Sequence, residues 1–161
     1  MNKPKKVTLI LDLDGVLITT PIWKADEMDA DGYSKFNSNC VTNLNLLLKE
    51  ADFELILSSS RRKAISIEQF NQIFFNRGIL LPISQYLPYN TMKKQRRREE
   101  IQAFLENKKP VCFLIIDDDK SLLSCNESIK SNLVSTSLMA GFSDHALLEA
   151  QEKLKNLLNR T

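Results

Sequence analysis

The sequence predicts an α/β protein with a doubly wound, mainly parallel β-sheet. Short runs of apolar, β-forming residues alternate along the chain with longer stretches whose apolar residues recur at helical spacing. This alternation is typical of parallel strands joined by helices that cover both faces of the sheet. The length of 161 residues suits one domain of ordinary size, so we expect a single domain over residues 1–161.

The composition is that of a globular protein with a packed core. Apolar residues make up 43% of the chain and charged residues 26%, both ordinary values, and the net charge of +2 does not by itself indicate nucleic-acid binding. The three cysteines are odd in number and lack metal-ligand spacing. Lys3, Lys5 and Lys6 precede an apolar stretch, as in a signal peptide, but Asp12 and Asp14 interrupt that stretch. No apolar run is long enough to span a bilayer, so we expect a cytoplasmic protein without membrane contacts.

The first half of the chain predicts two strands and two helices. Residues 7–11 are an apolar run bounded by turn chemistry, which predicts a buried strand. Residues 19–39 are too polar for a core element and predict a short loop or flap. Apolar residues at helical spacing predict a helix over residues 41–50. A second strand over 53–57 and a helix over 65–76, closed by a glycine, complete this half.

The second half continues the alternation. Residues 91–107 predict a helix with a very basic first half and apolar positions further along. Residues 111–116 are the most apolar run of the chain and predict a buried strand. The remaining predictions are a short strand within 80–89, a helix over 122–131, an edge strand over 133–137 and an amphipathic helix over 143–158 capped by Ser143.

Two carboxylates, one residue apart, follow the first predicted strand. Asp12 and Asp14 are separated by Leu13 and followed by Gly15. Burying ionised carboxylates without partners is expensive, so the pair needs a cation, hydrogen-bond donors or a water-filled cleft. Open α/β sheets bind ligands at the carboxyl ends of their strands. The pair therefore predicts a functional site, although some loops and calcium sites use the same pattern.

Polar residues also follow two other predicted strands. Ser58 comes directly after residues 53–57, where a hydroxyl and backbone amides can bind a phosphoryl oxygen. Its neighbour Ser59 is the alternative, and a serine-rich helix start without a ligand is the structural interpretation. Asp117 and Asp118 follow residues 111–116 and predict, together with the first pair, an oxygen cage for a hard cation.

A run of five cations lies within residues 93–98. Arg97 shares a helical face with the apolar residues Ile101 and Phe104, and we expect that face to pack on the sheet. Arg97 is therefore the preferred candidate to reach the strand ends, and Lys93, one turn earlier in the predicted helix, is the second. The rest of the run predicts a solvated basic face.

Taken in order, these residues resemble the motifs of the haloacid-dehalogenase (HAD) superfamily of phosphotransferases, which use an aspartate nucleophile. The stretch Asp12-Leu13-Asp14-Gly15-Val16-Leu17 is similar to the superfamily's first motif. Within the superfamily, the chain resembles the phosphatase domain of Swiss Army knife RNA-repair proteins. That resemblance covers nearly the whole chain; it depends on a serine-rich second motif followed by arginine, on residues 97–101 and on the strand-end acids of residues 115–119.

The resemblance implies a HAD-like fold and a magnesium-dependent phosphomonoester hydrolase that forms an aspartyl-phosphate. Asp12 would be the nucleophile, and Asp14 would be the general acid and then the base that activates water. Mg²⁺ would be held by Asp12, by the backbone carbonyl of Asp14, and by Asp117, with Asp118 binding directly or through water. Ser58 or Ser59 and Arg97 would bind the phosphoryl oxygens.

The short insertion after the first motif stands where the superfamily inserts a cap, so we expect a minimal or absent cap and an open site. The basic run and the adjacent Arg61 and Arg62 favour a nucleotide or a nucleic-acid end as the phosphorylated substrate. A phosphoprotein or a small metabolite remains an alternative substrate. A catalytically slow module that binds a phosphorylated ligand is the alternative from a different functional class.

Overall fold

The structure, a computed structural model, describes residues 3–160 and contains a five-stranded parallel β-sheet. The domain predicted over residues 1–161 also includes residues 1, 2 and 161, which lie outside the described residues. The strands pair in the order β3-β2-β1-β4-β5, and every pair is parallel, which confirms the predicted sheet. Their bounds are β1 (Lys6–Leu11), β2 (Asp52–Leu57), β3 (Ile83–Tyr86), β4 (Cys112–Asp117) and β5 (Leu133–Ser135).

Five α-helices and two 3₁₀ helices connect and follow the strands in the described part of the chain. None of these helices is long and apolar enough to cross a bilayer. The α-helices are α1 (Ser38–Leu48), α2 (Ile67–Asn76), α3 (Arg97–Lys108), α4 (Glu127–Ser131) and α5 (Asp144–Asn159). The 3₁₀ helices cover Ser60–Lys63 and Lys120–Ser124.

Two apolar cores cover the two faces of the sheet. Successive side chains of a strand point to opposite faces, so Leu9 of β1 lies in one core and Ile10 in the other. The core around Leu9 contains apolar residues of α1, α2 and α5, and the core around Ile10 contains those of α3 and α4. The doubly wound arrangement is therefore confirmed, and the carboxyl ends of all five strands point to the same edge.

The helix predicted over residues 91–107 is wrong over residues 91–96, because α3 begins only at Arg97. Asn90 Oδ1 accepts hydrogen bonds from the backbone N–H groups of Met92 and Lys93 and folds this segment into a turn. Glu99 Oε2 accepts a hydrogen bond from the N–H of Arg96 and closes the helix start. The sequence predicted that Lys93 lies one helical turn before Arg97, and this prediction is wrong because Lys93 lies outside the helix.

The helix predicted over residues 122–131 is divided into two short helices. Asp119 Oδ1 accepts a hydrogen bond from the N–H of Ser121 and caps the 3₁₀ helix Lys120–Ser124. Asn126 Oδ1 accepts one from the N–H of Ile129 and begins α4. Each cap satisfies a backbone donor at a new helix start, so one continuous helix does not form.

The insertion between β1 and α1 is a compact loop. Met28 and Ser34 form an isolated antiparallel bridge, and no longer helix or strand is found in residues 19–37. Arg77, at the end of α2, donates hydrogen bonds to Asp31 Oδ2 at 2.5 Å and to the carbonyl of Ser34 at 2.9 Å. The Arg77 guanidinium holds the pKa of Asp31 below its usual range. The insertion is thus a short loop that Arg77 holds beside the strand ends, which agrees with a minimal cap.

Candidate active site

Three of the predicted site residues meet at the carboxyl ends of the central strands. Asp12 follows β1, Ser58 follows β2, and Asp117 ends β4. The ladder continues one residue past β1 and β2, because the N–H of Asp12 donates to the carbonyl of Ile116 at 3.1 Å and that of Ser58 to the carbonyl of Leu11 at 2.8 Å. All three side chains are buried. Sheet pairing therefore brings together residues that are far apart in the sequence.

Arg97, the first residue of α3, reaches all three of these residues. Its Nη1 lies 2.9 Å from Ser58 Oγ, 3.0 Å from Asp117 Oδ2 and 3.5 Å from Asp12 Oδ1. Burial by itself lowers the pKa of this guanidinium, but the charges of Asp117 and Asp12 outweigh burial and raise the pKa of Arg97. A cation at this position can offset the charge of a phosphoryl group beside Asp12.

Asp12, Asp117 and Asp118 form an acidic cluster whose ligand oxygens all lie within 4.8 Å of one another. Burial and then the charge of Asp12 raise the pKa of Asp117 well above its ordinary value. The same two causes raise the pKa of Asp118 to about 6. Within this cluster the Arg97 guanidinium pairs with Asp12 and Asp117, so the three carboxylates outnumber the cation beside them. A set of carboxylate oxygens with excess negative charge fits a hard divalent cation such as Mg²⁺.

Gly15 allows the loop after β1 to lie against this cluster. Its φ is +77°, and a Cβ at this position would lie 2.1 Å from Asp118 Oδ2. The Oγ1 of Thr136, just after β5, donates a hydrogen bond to the carbonyl of Gly15 at 2.5 Å. Only glycine combines this backbone conformation with so close a carboxylate.

Asp14 is not part of the acidic cluster, because its carboxylate is paired with Arg61. Arg61 Nε donates to Asp14 Oδ2 and Nη2 donates to Asp14 Oδ1, both at 2.8 Å. The same guanidinium donates to Asp26 Oδ2 at 2.8 Å and to Ser34 Oγ at 3.0 Å, both in the insertion. The contacts with Asp14, the largest cause, and with Asp26 raise the pKa of Arg61 above its ordinary value.

Ser59 lies beside the site but has a local contact of its own. Its Oγ accepts a hydrogen bond from the N–H of Arg61 at 3.3 Å and caps the 3₁₀ helix. The helix-start interpretation of the serines therefore describes Ser59, whereas Ser58 Oγ lies in the site.

Arg62 is buried and clamps the end of β2 to α3. Its Nε donates to the carbonyl of Leu87 at 2.8 Å, and its Nη1 donates to the carbonyls of Ser58 and Ser59 at 2.7 and 3.0 Å. Its Nη2 forms an ion pair with Glu100, one turn after Arg97 in α3. Both Arg61 and Arg62 thus have carboxylate partners within the chain, and their proposed support for a nucleotide or nucleic-acid substrate stays a prediction.

The sequence alone did not predict the contacts of Arg61, Arg62 and Glu100. The arginines follow Ser58 and Ser59 directly, and that proximity is the available sequence signal for a link to the site. Their carboxylate partners lie 35 to 47 residues away along the chain, so local patterns do not identify them.

Residues 8–147 match the family model described as the HAD domain in Swiss Army Knife RNA repair proteins. The chain belongs to this family. The match includes all five strands except the first residues of β1 and contains every candidate residue of the site. Membership supports assignment of this HAD domain to the phosphatase-type hydrolases.

Two other comparisons add little to the family assignment. No curated protein matches the chain. Among solved structures, the UDP-N-acetylglucosamine 2-epimerase from Rickettsia bellii is similar at 15% sequence identity, with a TM-score of 0.37. The match covers 98% of this chain and 47% of the epimerase chain. We infer neither fold nor function from a similarity at this level.

Proposed function

We propose that the HAD domain is a magnesium-dependent phosphomonoester hydrolase that works through an aspartyl-phosphate on Asp12. The observation that carries the proposal is the position of Asp12, which is buried at the end of β1 with Arg97 Nη1 3.5 Å from its Oδ1 and with ligand oxygens of Asp117 and Asp118 within 4.8 Å. A carboxylate at this place has nearby both a cation for the phosphoryl oxygens and further carboxylate oxygens that can hold a metal ion.

The proposed reaction has two displacements at phosphorus. A carboxylate oxygen of Asp12 attacks the phosphorus, the bond to the leaving oxygen breaks, and Asp14 gives that oxygen its proton. Asp14 then takes a proton from water, whose oxygen attacks the phosphorus of the aspartyl-phosphate and releases inorganic phosphate. Asp12 is regenerated as a carboxylate. Ser58 and Arg97 are the proposed partners of the phosphoryl oxygens, with Ser59 as the alternative to Ser58.

The proposed ligands of Mg²⁺ are the carboxylates of Asp12, Asp117 and Asp118 and the backbone carbonyl of Asp14. The all-oxygen donor set and the raised pKa values of Asp117 and Asp118 support such a site, because both features indicate unbalanced negative charge. When bound, the ion supplies positive charge that offsets the carboxylates and the phosphoryl oxygens.

For the substrate, we propose a nucleotide or a nucleic-acid end. The family description, which places such HAD domains in RNA repair proteins, supports this choice. The basic segment between β3 and α3 supports it as well, because it supplies cations next to the site. Phosphoproteins and small phosphorylated metabolites are the competing substrates.

A second candidate function is that of a phosphate-binding module with little turnover. The bidentate pairing of Asp14 with Arg61 favours it, because the proposed acid and base is engaged in an ion pair. In that case Arg97 and Ser58 would hold a phosphorylated ligand without hydrolysis. The two candidates share a binding site and differ in whether Asp12 forms a covalent bond.

The test measures phosphate release from a panel of phosphomonoesters, with Mg²⁺ and with a chelator. The panel contains 5′- and 3′-phosphorylated oligonucleotides, mononucleotides, a phosphopeptide and sugar phosphates. We expect magnesium-dependent release that Asp12→Asn lowers by about a thousandfold or more. Asp52→Asn, on an exposed aspartate at the opposite end of β2, is the matched control and is expected to retain activity.

The hydrolase proposal would be overturned if no substrate showed magnesium-dependent release of phosphate. If the wild-type protein then still binds phosphorylated ligands, the binding module is supported. Release confined to small metabolites would retain the hydrolase and reject the nucleic-acid substrate.

A further inference from the structure

A cleft of about 570 Å³ lies beside the candidate active site. Ser60 and Lys63 line it on the side of the 3₁₀ helix that follows β2, and residues 94–97 line it on the side of α3. Arg97 belongs both to this cleft and to the site, since its Nη1 contacts Ser58 and Asp117. The cleft therefore begins where the scissile phosphoryl group is proposed to lie.

The cleft carries an excess of positive charge. Lys63, Lys94 and Arg96 are exposed and form no ion pair within residues 3–160. Of the two acids in the lining, Glu100 pairs with Arg62, and the charge of Asp119, whose Oδ1 caps the next 3₁₀ helix, is outnumbered by these three cations. Unpaired cations along a concave surface raise the local concentration of anions and attract charged substrates.

The segments that carry these cations are held in place. The Nζ of Lys63 lies 4.8 Å from the centroid of the Tyr89 ring, a contact that orders the side chain and leaves its charge in place. Lys94 lies between the Asn90 turn and Arg96, whose backbone N–H donates a hydrogen bond to Glu99 Oε2. Ordering before binding lowers the entropy that a ligand must offset.

We propose that this cleft binds a second phosphate group of the substrate, separate from the one that Asp12 attacks. The inference rests on the proposed phosphomonoester site and specifies its substrate class as molecules with two or more phosphate groups. Arg96 offers a planar fork of donors and the two lysines offer point charges, a combination suited to phosphate oxygens. Contacts of this kind position a phosphate without reading a base.

The test measures binding, so that it does not depend on turnover. In an Asp12→Asn background with Mg²⁺, calorimetry compares a nucleoside 3′,5′-bisphosphate with the 3′- and 5′-monophosphates of the same nucleoside. We expect the bisphosphate to bind about tenfold more tightly than either monophosphate. The double variant K94A/R96A, made in the same background, is expected to remove most of this preference. The matched control is K49A/K155A, which removes two exposed lysines outside the cleft lining.

A second arm identifies the source of the second phosphate. A 5′-phosphorylated trinucleotide presents phosphodiesters, whereas the bisphosphate presents a second phosphomonoester. For the trinucleotide, the slope of log Kd against log salt concentration should fall by about 0.7 for each phosphate contact that the double variant loses. A loss confined to one ligand assigns the cleft to that ligand, and a loss for both supports general recognition of a second phosphate.

Two results would overturn the proposal that the cleft binds a second phosphate group. The first is equal affinity for the bisphosphate and the monophosphates, which includes a failure to bind any of them. The second is an equal loss of affinity for all ligands in K94A/R96A, which would indicate an unspecific charge effect. Neither result concerns phosphate release by the wild-type protein. Failure of the second-phosphate proposal can therefore be distinguished from failure of the hydrolase proposal.

Discussion

Arg61 holds the carboxylate of Asp14 through two hydrogen bonds, from Nε to Oδ2 and from Nη2 to Oδ1, each 2.8 Å long. The same guanidinium also donates to Asp26 Oδ2 in the insertion. The Arg61 side chain thus links Asp14, the proposed general acid and base, to the insertion beside the site. The direction of the Asp14 carboxylate depends on this contact, because a bidentate pair fixes a carboxylate more narrowly than a single bond does.

We expect Arg61→Ala to slow the hydrolase by releasing Asp14. The loss of kcat should be about a hundredfold for alkyl phosphates, whose leaving oxygen needs a proton, and clearly smaller for para-nitrophenyl phosphate. Steady-state kinetics on the two substrates check this difference. Arg61→Lys should recover part of the rate, because lysine keeps the charge and loses the fork. Equal losses on both substrates would show that Arg61 acts on folding or on phosphate binding instead.

Gly15→Ala should weaken magnesium binding, because the new methyl group would displace the Asp118 carboxylate. The concentration of Mg²⁺ that gives half-maximal activity should rise about tenfold, as for other changes beside a metal site. Gly32→Ala is the matched control, since Gly32 has a φ of +78° and open space around it. Both variants should lose about 1 kcal/mol of stability from the backbone conformation, and only Gly15→Ala should alter the response to Mg²⁺.

The stability of the metal-free protein should depend on Asp118 at mildly acidic pH. Its pKa is raised from 3.8 to about 6 by burial and by Asp12, so the folded protein holds the proton more tightly than the unfolded chain does. This contribution to stability is present below the unfolded pKa and is lost as pH rises through the folded pKa. Added Mg²⁺ binds the deprotonated cluster, so its stabilising effect should grow over the same interval.

Thermal unfolding with a chelator and with MgCl₂, between about pH 4 and pH 7, checks both trends. Asp118→Asn is the comparison variant. In this variant the Tm of the metal-free protein should decline less as pH rises, and Mg²⁺ should raise the Tm by less. A wild-type protein whose Mg²⁺-induced shift does not change with pH would contradict this role of the cluster.

Arg62→Ala should destabilise the fold strongly. The variant leaves Glu100 buried without its partner and removes the donor for the carbonyls of Leu87, Ser58 and Ser59. Breaking a buried pair in this way typically costs about 3 to 5 kcal/mol. Urea denaturation gives the free energy of unfolding, and Arg160→Ala, on an exposed arginine, is the control expected to change it by less than about 0.5 kcal/mol. If Arg62→Ala changed the free energy of unfolding no more than the control does, this stabilising role of Arg62 would be contradicted.

The order and type of the elements were predictable because their apolar periodicity is local. The strands over residues 7–11 and 53–57 differ from the observed β1 and β2 by a single residue at the amino end. The helix over 91–107 was predicted too long because charged residues such as Lys93 and Lys94 also occur in helices. In the folded protein, Asn90 uses its side chain to form a competing turn with the same backbone.

The sequence by itself determined the parallel α/β fold and the meeting of Asp12, Ser58 and Asp117. Residues that directly follow parallel strands are carried to the same edge of the sheet, whatever their separation along the chain. Only the tertiary structure decided that Arg61 holds Asp14, 47 residues away, and that Arg62 pairs with Glu100, 38 residues away. A long arginine side chain reaches several neighbours, and the packing of the insertion and α3 against the strand ends selects among them.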